Sequence, residues 1–572
     1  MSGRKRSAAR LHLANAIALE LSGGVIAFAA ALIMVMHLAD TQRSWLLFYD
    51  SDSVFPALVH GSLAVGQPQD WAMSSVLFIP ELIVYLGLAA LGLSVKATFI
   101  LNAIVNLVAV YASFRFVAGC AMPGRARSSR IVGALLAIAG VTVFVLLDST
   151  ANRNSLELVS LVATTTYYSA TIIGMILTVG LVVRILSPCH RVADGPFPSK
   201  SQRISWVPAV VLALVATLSI LTNPLYLAWS AVPVAIAVVA VGIPRLVSRL
   251  SGVVALGAVG AGAIAGLLLR VPLAPWITMS GVSYARPDLF GRSLLYYTSL
   301  LRMRLETLPG VLSIVFVFAL IAVNIAIFVR RLRRRDTAGM LVAGLGWITP
   351  VVVTAGAILL GTDAARYLEP VFFAPLLGLC VVLAVLRRER VIHRSLRGEL
   401  LDPKGNDSRL VRRNVETGKP TGSKPATQLL ASATAGVLAV GVLASIIIAT
   451  PRLVVEANRV DSDVQCVDQW VTDSGEIGVG EYWTIRGPKA YLPDPSQLVQ
   501  VTSALNAYPW LVNRTDFEAT RASFVIVSRA DPPLEVPAGL SAAATRVTHC
   551  GRYTIVDYGH PALPIGPLPR SR

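Results

Sequence analysis

Two acids one position apart, in the stretch Tyr49-Asp50-Ser51-Asp52, are the first side chains in the chain that can do chemistry. Carboxylates at that spacing can share a metal ion, or one can accept a proton while the other orients it. The same spacing is common in turns and helix caps, so it gains meaning only from its company. His60, Gln69, Asp70 and Glu81 follow closely, with His60 reading as structural. A second polar stretch, Asp148-Ser-Thr-Ala-Asn152-Arg153-Asn154-Ser-Leu-Glu157, lies between two apolar runs. Glu157 is there either a third carboxylate of the same site or part of a solvated loop. A third stretch reads Gly361-Thr362-Asp363-Ala-Ala-Arg366-Tyr367-Leu-Glu369-Pro370. The Arg366 fork of donors suits a phosphate, and Asp363 either joins that site or pairs with Arg366. Residues 270–309 interleave Trp276, Tyr284, Arg286, Tyr296, Tyr297, Arg302 and Arg304, which suits an interfacial helix or sugar and phosphate contacts. A P-loop, a dinucleotide fingerprint, zinc spacing and a nucleophile elbow are absent from the sequence, so chemistry driven by ATP is not indicated.

The elements that must position these residues are membrane helices. The 572-residue chain is 55% hydrophobic with a mean hydropathy of +0.66, and only 14% of its residues are charged. Soluble domains have about 25% charged residues. Apolar runs long enough to cross the hydrocarbon core recur throughout, and alternating β-barrel segments are absent, so the spans are helices. A net charge of +18 can accompany nucleic-acid binding, but here the basic residues sit in short loops between apolar runs. They read instead as cytoplasmic loops under the positive-inside rule, with no nucleic-acid partner. The clusters are Arg4–Arg10, Arg125–Arg130, Arg184–Arg203, Arg245–Arg249, Arg330–Arg335 and Arg387–Lys424. Placing all of them inside gives about eleven crossings: 14–37, 97–118, 131–148, 164–186, 205–222, 225–243, 252–269, 310–329, 338–360, 369–386 and 429–449. Ser75–Leu93, with Pro80 and Glu81, is excluded as a segment lying along the outer surface.

The resulting organisation starts with a cytoplasmic basic N-terminus (1–13), without a cleavage pattern after the first span. A polytopic all-α membrane domain (14–386) follows, with a large first external loop (38–96). A basic cytoplasmic linker (387–428) and a last span (429–449) lead to an extracytoplasmic domain (450–572). In that last part the apolar runs stop. Candidate strands Gly480–Ile485, Ser523–Ser528 and Arg552–Tyr558, with helices near Asp461–Thr472 and Ser496–Ala507, predict a small α/β or α+β domain. It holds two of the five cysteines, Cys466 and Cys550, which on the outer face read as a disulfide.

This order of parts resembles the GT-C superfamily of integral membrane glycosyltransferases that use polyprenyl-phosphate sugars. Protein O-mannosyltransferases, the oligosaccharyltransferase catalytic subunit and the lipid A aminoarabinose transferase belong to that group. The likeness covers about residues 10–390 and rests on layout. A first loop opens with Asp50 and Asp52, and a membrane-parallel segment Leu77–Leu93 follows. Then come the span Phe99–Phe116 with Arg115, the polar stretch Asn152, Asn154 and Glu157, and an Asp-to-Arg-Tyr stretch, Asp363 to Tyr367, before a late span. Phe78-Ile79-Pro80-Glu81 stands where relatives carry H-P-P or K-P-P, and W-W-D is missing.

The resemblance implies Asp50 or Asp52 as general base or metal ligand, with a divalent cation such as Mg or Mn as the cofactor to consider. It implies Glu157, Arg366, Tyr367 and Asp363 at the substrates. The partners would be a polyprenyl-phosphate-linked sugar donor, an envelope glycan, lipid or protein acceptor, and the lipids of the cytoplasmic membrane. The reaction would be transfer of a hexose or pentose on the outer face. Two non-enzymatic readings stand beside it, a flippase for lipid-linked sugars and an assembly scaffold. A flippase would want ionisable residues in mid-span and repeat symmetry.

Overall fold

A computed structural model of the chain describes residues 2–187, 206–243, 246–278, 285–382, 425–528, 534–535 and 544–568. Among these residues nine helices are long and apolar enough to cross a membrane. They include α1 (Ser2–Asp40), α5 (Val95–Ala121), α6 (Arg127–Leu146), α7 (Ser169–Leu186), α10 (Arg249–Arg270), α12 (Leu308–Arg333) and α13 (Thr337–Leu359). The eighth is a broken helix over Ala365–Val382, and the ninth, Ala439–Ser474, begins within α15 (Pro425–Asn458). The expected spans 205–222 and 225–243 are the shorter helices α8 (Trp206–Thr222) and Leu227–Gly242, the latter a π-helical turn running into α9 (Val232–Gly242).

Capping side chains set several starts. Ser94, Ser248, Thr307 and Asp336 each accept a backbone N–H of the first turn of α5, α10, α12 and α13, respectively. The interfaces use small residues. Gly262 and Gly266 of α10 lie directly on α8, where an added Cβ at Gly266 would sit 2.7 Å from the Thr217 carbonyl.

Several expected bounds shift. The span 164–186 begins only at Ser169. Val159–Ala163 form a 3-10 turn and 164–168 are irregular, a stretch whose Thr and Tyr residues resemble an apolar run only in outline. The late span is interrupted by Pro370 and Pro375. They divide it into Ala365–Leu368, α14 (Glu369–Phe373) and Ala374–Leu376 before it continues to Val382. The separate N-terminal segment 1–13 merges into α1 from Ser2 onward, and the last span runs to Asn458, past the expected boundary at 450. Most of the linker 387–428, and Cys189, lie outside the described residues.

The first loop folds as α2 (Ser44–Phe48), α3 (Phe55–Ala64), the two-residue strand β1 (Trp71–Ala72) and α4 (Ile79–Ala89). Residues 270–309 contain α11 (Phe290–Leu305), with Leu294, Leu295 and Met303 exposed on it.

The C-terminal domain carries α16 (Ser462–Ser474) and α17 (Tyr482–Lys489). Its sheet has five strands in the order β3 (Leu498–Val501), β2 (Gly478–Glu481), β6 (Phe524–Ser528), β8 (Tyr553–Asp557), β7 (Arg546–Cys550). The first three run parallel, and β6–β8–β7 are antiparallel. The expected strand Gly480–Ile485 therefore ends at Glu481 and turns into α17, and the expected helix Ser496–Ala507 is instead the end of a 3-10 turn, strand β3 and an irregular turn. Cys466 of α16 and Cys550 of β7 are disulfide-bonded, with Cα atoms 5.5 Å apart, while Cys120 and Cys380 are free and buried. A short strand, β4 (Val512–Asn513), pairs antiparallel with β1, so the first loop and the domain share a ladder.

The disulfide closes a separation of 84 residues. Cys466→Ser is expected to destabilise the domain by about 2–4 kcal/mol. The measurement is limited proteolysis on warming, with cleavage between residues 459 and 568 setting in at lower temperature. A variant as resistant as the parent would remove the cross-link from the account.

Candidate functional site

The site is built on a turn. Asp50 Oδ2 accepts the backbone N–H groups of Asp52 (3.1 Å) and Ser53 (3.3 Å), which folds Asp50–Ser53 tightly after α2. The same oxygen accepts the Tyr167 hydroxyl at 2.9 Å, and Oδ1 pairs with Arg153 Nη1 at 3.3 Å. Asp50 is 1% exposed. Burial pushes its carboxyl above the usual range, and the charge of Asp52 adds to that; Arg153 and the bonds from Tyr167 and Ser53 oppose it.

Asp52 points the other way. It is half-buried, accepts the Tyr482 hydroxyl at 2.6 Å on Oδ1, and lines a cavity of about 480 Å³. The cavity gathers residues far apart in sequence at the end of the bundle that carries the C-terminal domain. Arg366 and Tyr367 line it, with Tyr167 and Tyr168 from the irregular stretch before α7. Asn223 and Pro224 come from the break after α8, Arg270 from the end of α10, and Trp510 and Leu511 from the domain. Most of the remaining wall is apolar. Leu267 and Leu360 line it and are also 45% and 43% exposed, so it reaches the outer flank of the bundle.

Two arginines give this apolar space its charge. Arg366 Nε donates to the Tyr168 hydroxyl at 2.9 Å, and its guanidinium lies 5.9 Å from the Tyr167 ring centroid. Tyr167 therefore touches both Asp50 and Arg366. Arg270 donates to the carbonyls of Leu221 (2.7 Å) and Ser75 (2.6 Å), which fixes it at the cavity edge. Phe78 and Tyr168 both adopt positive φ, 50° and 64°, and their rings stack at 6.5 Å. Non-glycine residues held in that region cost energy and gather at functional sites.

Of the residues expected at a site, Asp52, Arg366 and Tyr367 line the cavity, and Asp50 stands behind its wall. Glu157 and Asp363 do not line it. Glu157 is 3% exposed and locked in a buried charge cluster. Its Oε2 accepts Ser149 N, Thr150 N and Thr150 Oγ1 at 2.8–3.0 Å, and Oε1 pairs with Arg304 at 2.6 Å. Arg43 and Asp148 complete the cluster. Asp363 is exposed and faces Arg292 at 3.8 Å rather than Arg366.

The sequence reading missed Arg270, although its signal matches that of Arg366, a lone arginine at a span end. It missed Tyr167 and Tyr168 by assigning them to a span, and Tyr482 by assigning it to a strand.

A metal ion fits these carboxylates poorly. Both Asp50 oxygens face donors or a cation, one Asp52 oxygen holds Tyr482, and a third acidic or imidazole ligand is missing. Among the described residues no group of three or more His, Cys, Asp or Glu is assembled to hold one.

No family model and no curated protein matches the chain. Among solved structures, it is similar to the crystal structure of the Archaeoglobus fulgidus oligosaccharyltransferase in its apo form. The identity is 11% and the TM-score 0.37, with 88% of this chain and 69% of that one covered.

Removing the Glu157 charge leaves two buried guanidinium groups short of a partner. Glu157→Gln is expected to destabilise the protein by about 3–5 kcal/mol, read as a lowered unfolding midpoint in detergent. An unchanged midpoint would mean that the cluster is not a structural anchor.

Proposed function

We propose that the chain is a membrane glycosyltransferase that moves a sugar from a polyprenyl-phosphate carrier to an acceptor hydroxyl on the extracytoplasmic face. The observation that carries this reading is one cavity lined by a carboxylate, Asp52, and two guanidinium groups, Arg366 and Arg270, in walls that are mostly apolar with some hydroxyl and amide groups. A lipid-linked phosphate has matching parts: a long apolar tail, a phosphate that arginine holds bidentately, and a sugar beyond it. The half-exposed Leu267 and Leu360 give the tail a route to the bilayer.

Asp52 is the base in this scheme. The bond from Tyr482 occupies Oδ1 and holds the carboxylate, which leaves Oδ2 to accept the proton of the acceptor hydroxyl. The deprotonated acceptor oxygen attacks the anomeric carbon from the face opposite the phosphate. The bond from that carbon to the phosphate oxygen breaks, its electron pair leaves with the polyprenyl phosphate, and the configuration inverts. Arg366 and Arg270 stabilise the charge that develops on the leaving phosphate. Asp50 does not reach the reactants. It folds the turn that presents Asp52 and, through Tyr167, holds the wall beside Arg366. The two arginines supply the positive charge that a cation would otherwise bring.

Asp52→Asn is expected to lower transfer by about 10²–10⁴-fold, and Asp50→Asn to lower it less. The assay is release of polyprenyl phosphate from a panel of polyprenyl-phosphate hexoses and pentoses in proteoliposomes. A parallel readout is envelope glycan mass spectrometry in a complemented deletion strain. Full activity of Asp52→Asn in both would sink the base assignment. Arg366→Ala should raise the KM for the carrier. EDTA should leave the rate unchanged; a loss restored by Mg or Mn would put a cation between Asp52 and the phosphate.

A further inference from the structure

A second cavity, of about 220 Å³, lies behind the first, between α4, α5, α7 and α8. The two are neighbours along three strands of backbone. Phe78 lines the first and Pro80 the second, Tyr168 the first and Ser169 the second, Asn223 the first and Thr222 the second. Their ligand chemistry differs. The first cavity has two arginines, and no lysine, arginine or histidine lines the second.

The ionisable group in the second cavity is Glu81, 4% exposed. Its Oε1 accepts the Ala170 N–H at 3.1 Å, at the start of α7. Its Oε2 is buried and has no protein partner, and neither has Thr222 Oγ1, which lines the same space. A buried polar atom left unpaired costs about 1–3 kcal/mol, so two of them in one cavity call for a ligand with a polar head. A phosphate or carboxylate head would find no cation in this lining. A hydroxyl can donate to Glu81 and accept from Thr222 together. Asn106, Ser169, Thr171 and Ser219 add uncharged polar groups; the remaining lining is apolar and partly exposed, including Val105, Ala109, Leu177 and Leu218, the last 46% exposed. In a bilayer that flank meets lipid chains.

We propose that this second cavity binds an uncharged, hydroxyl-headed lipid, with its hydroxyl on Glu81 and Thr222 and its chains running out past α5 and α8. The site is distinct from the phosphate cavity and stands whether or not the chain transfers a sugar.

The test uses the full-length protein in nanodiscs and a diacylglycerol with a diazirine in one chain, followed by peptide mapping of the cross-links. Label is expected on the segments 105–109 and 215–218. Unlabelled diacylglycerol should compete about tenfold better than phosphatidic acid of the same chains, the worth of one hydrogen-bonded head group. Ala109→Trp, which fills the cavity, and Glu81→Leu should lose most of the label, while Arg366→Ala keeps it. If Glu81→Leu does not fold, judged by size exclusion, Ala109→Trp and the competition decide. Equal labelling of Ala109→Trp and the parent, label spread evenly over the helices, or equal competition by phosphatidic acid would each overturn the proposal. Loss of transfer in Arg366→Ala with the neutral label retained would separate the two cavities.

Discussion

One buried guanidinium holds the two halves of the molecule together. Arg486, on α17 of the C-terminal domain, is fully buried and donates to the Ser51 carbonyl at 2.7 Å, to Gln500 Oε1 at 3.1 Å and to the Leu511 carbonyl at 2.5 Å. A charge so deep is costly to leave unpaired; Nε and Nη1 are matched while Nη2 has no partner among the described residues, and the first-loop turn provides the Nε acceptor. The domain therefore cannot leave the loop without stranding the cation. Other contacts follow from the same docking. Ser51 Oγ donates to the Tyr482 carbonyl, Tyr491 Oη to the Phe48 carbonyl, and β1 pairs with β4. Arg153 stacks 3.4 Å over the Trp483 ring. The apolar core is correspondingly continuous from α1 through the sheet.

Arginine is used in two opposed ways at this end of the bundle. Arg43 and Arg304 are sealed among Asp148 and Glu157, and they tie the first loop, the second polar stretch and α11 into one frame. Burial still pushes the Asp148 carboxyl up to about 6 despite both cations, so the cluster buys geometry more than energy. Arg270 and Arg366 are instead anchored by one or two neutral oxygens each and line open space. The first pair makes the frame rigid, and the second faces the cavity, with Asp52 and Glu369 close enough to Arg366 to interact with its charge.

The sequence made the bundle legible because lipid enforces a length and a polarity on every span. The same rule exposed Arg366 as an arginine at the end of an apolar run. Glu157 was misread because what captures it is remote: Arg304 lies 147 positions away and the Arg43 contact spans 114. Strand β3 was misread because its partner β2 makes a parallel, non-local ladder that no local periodicity reveals. Residues 164–168 were hidden because β-branched threonines and tyrosines look apolar until their hydroxyls find partners, as Tyr167 does on Asp50.

The Asp-Ser-Asp stretch had two readings, a turn cap or a chemical pair, and its two acids are placed differently. Asp50 is the cap: its oxygens are taken by the backbone of the turn, Tyr167 and Arg153. Because it closes the turn from inside, alternate residues face opposite ways, and Asp52 is carried to the cavity. The two carboxylates thus sit in different environments, one buried and fixed, one beside open space with a hydroxyl partner. The turn that brings Asp52 to the cavity exists only while Asp50 is committed to closing it, so the position of the second acid depends on the first.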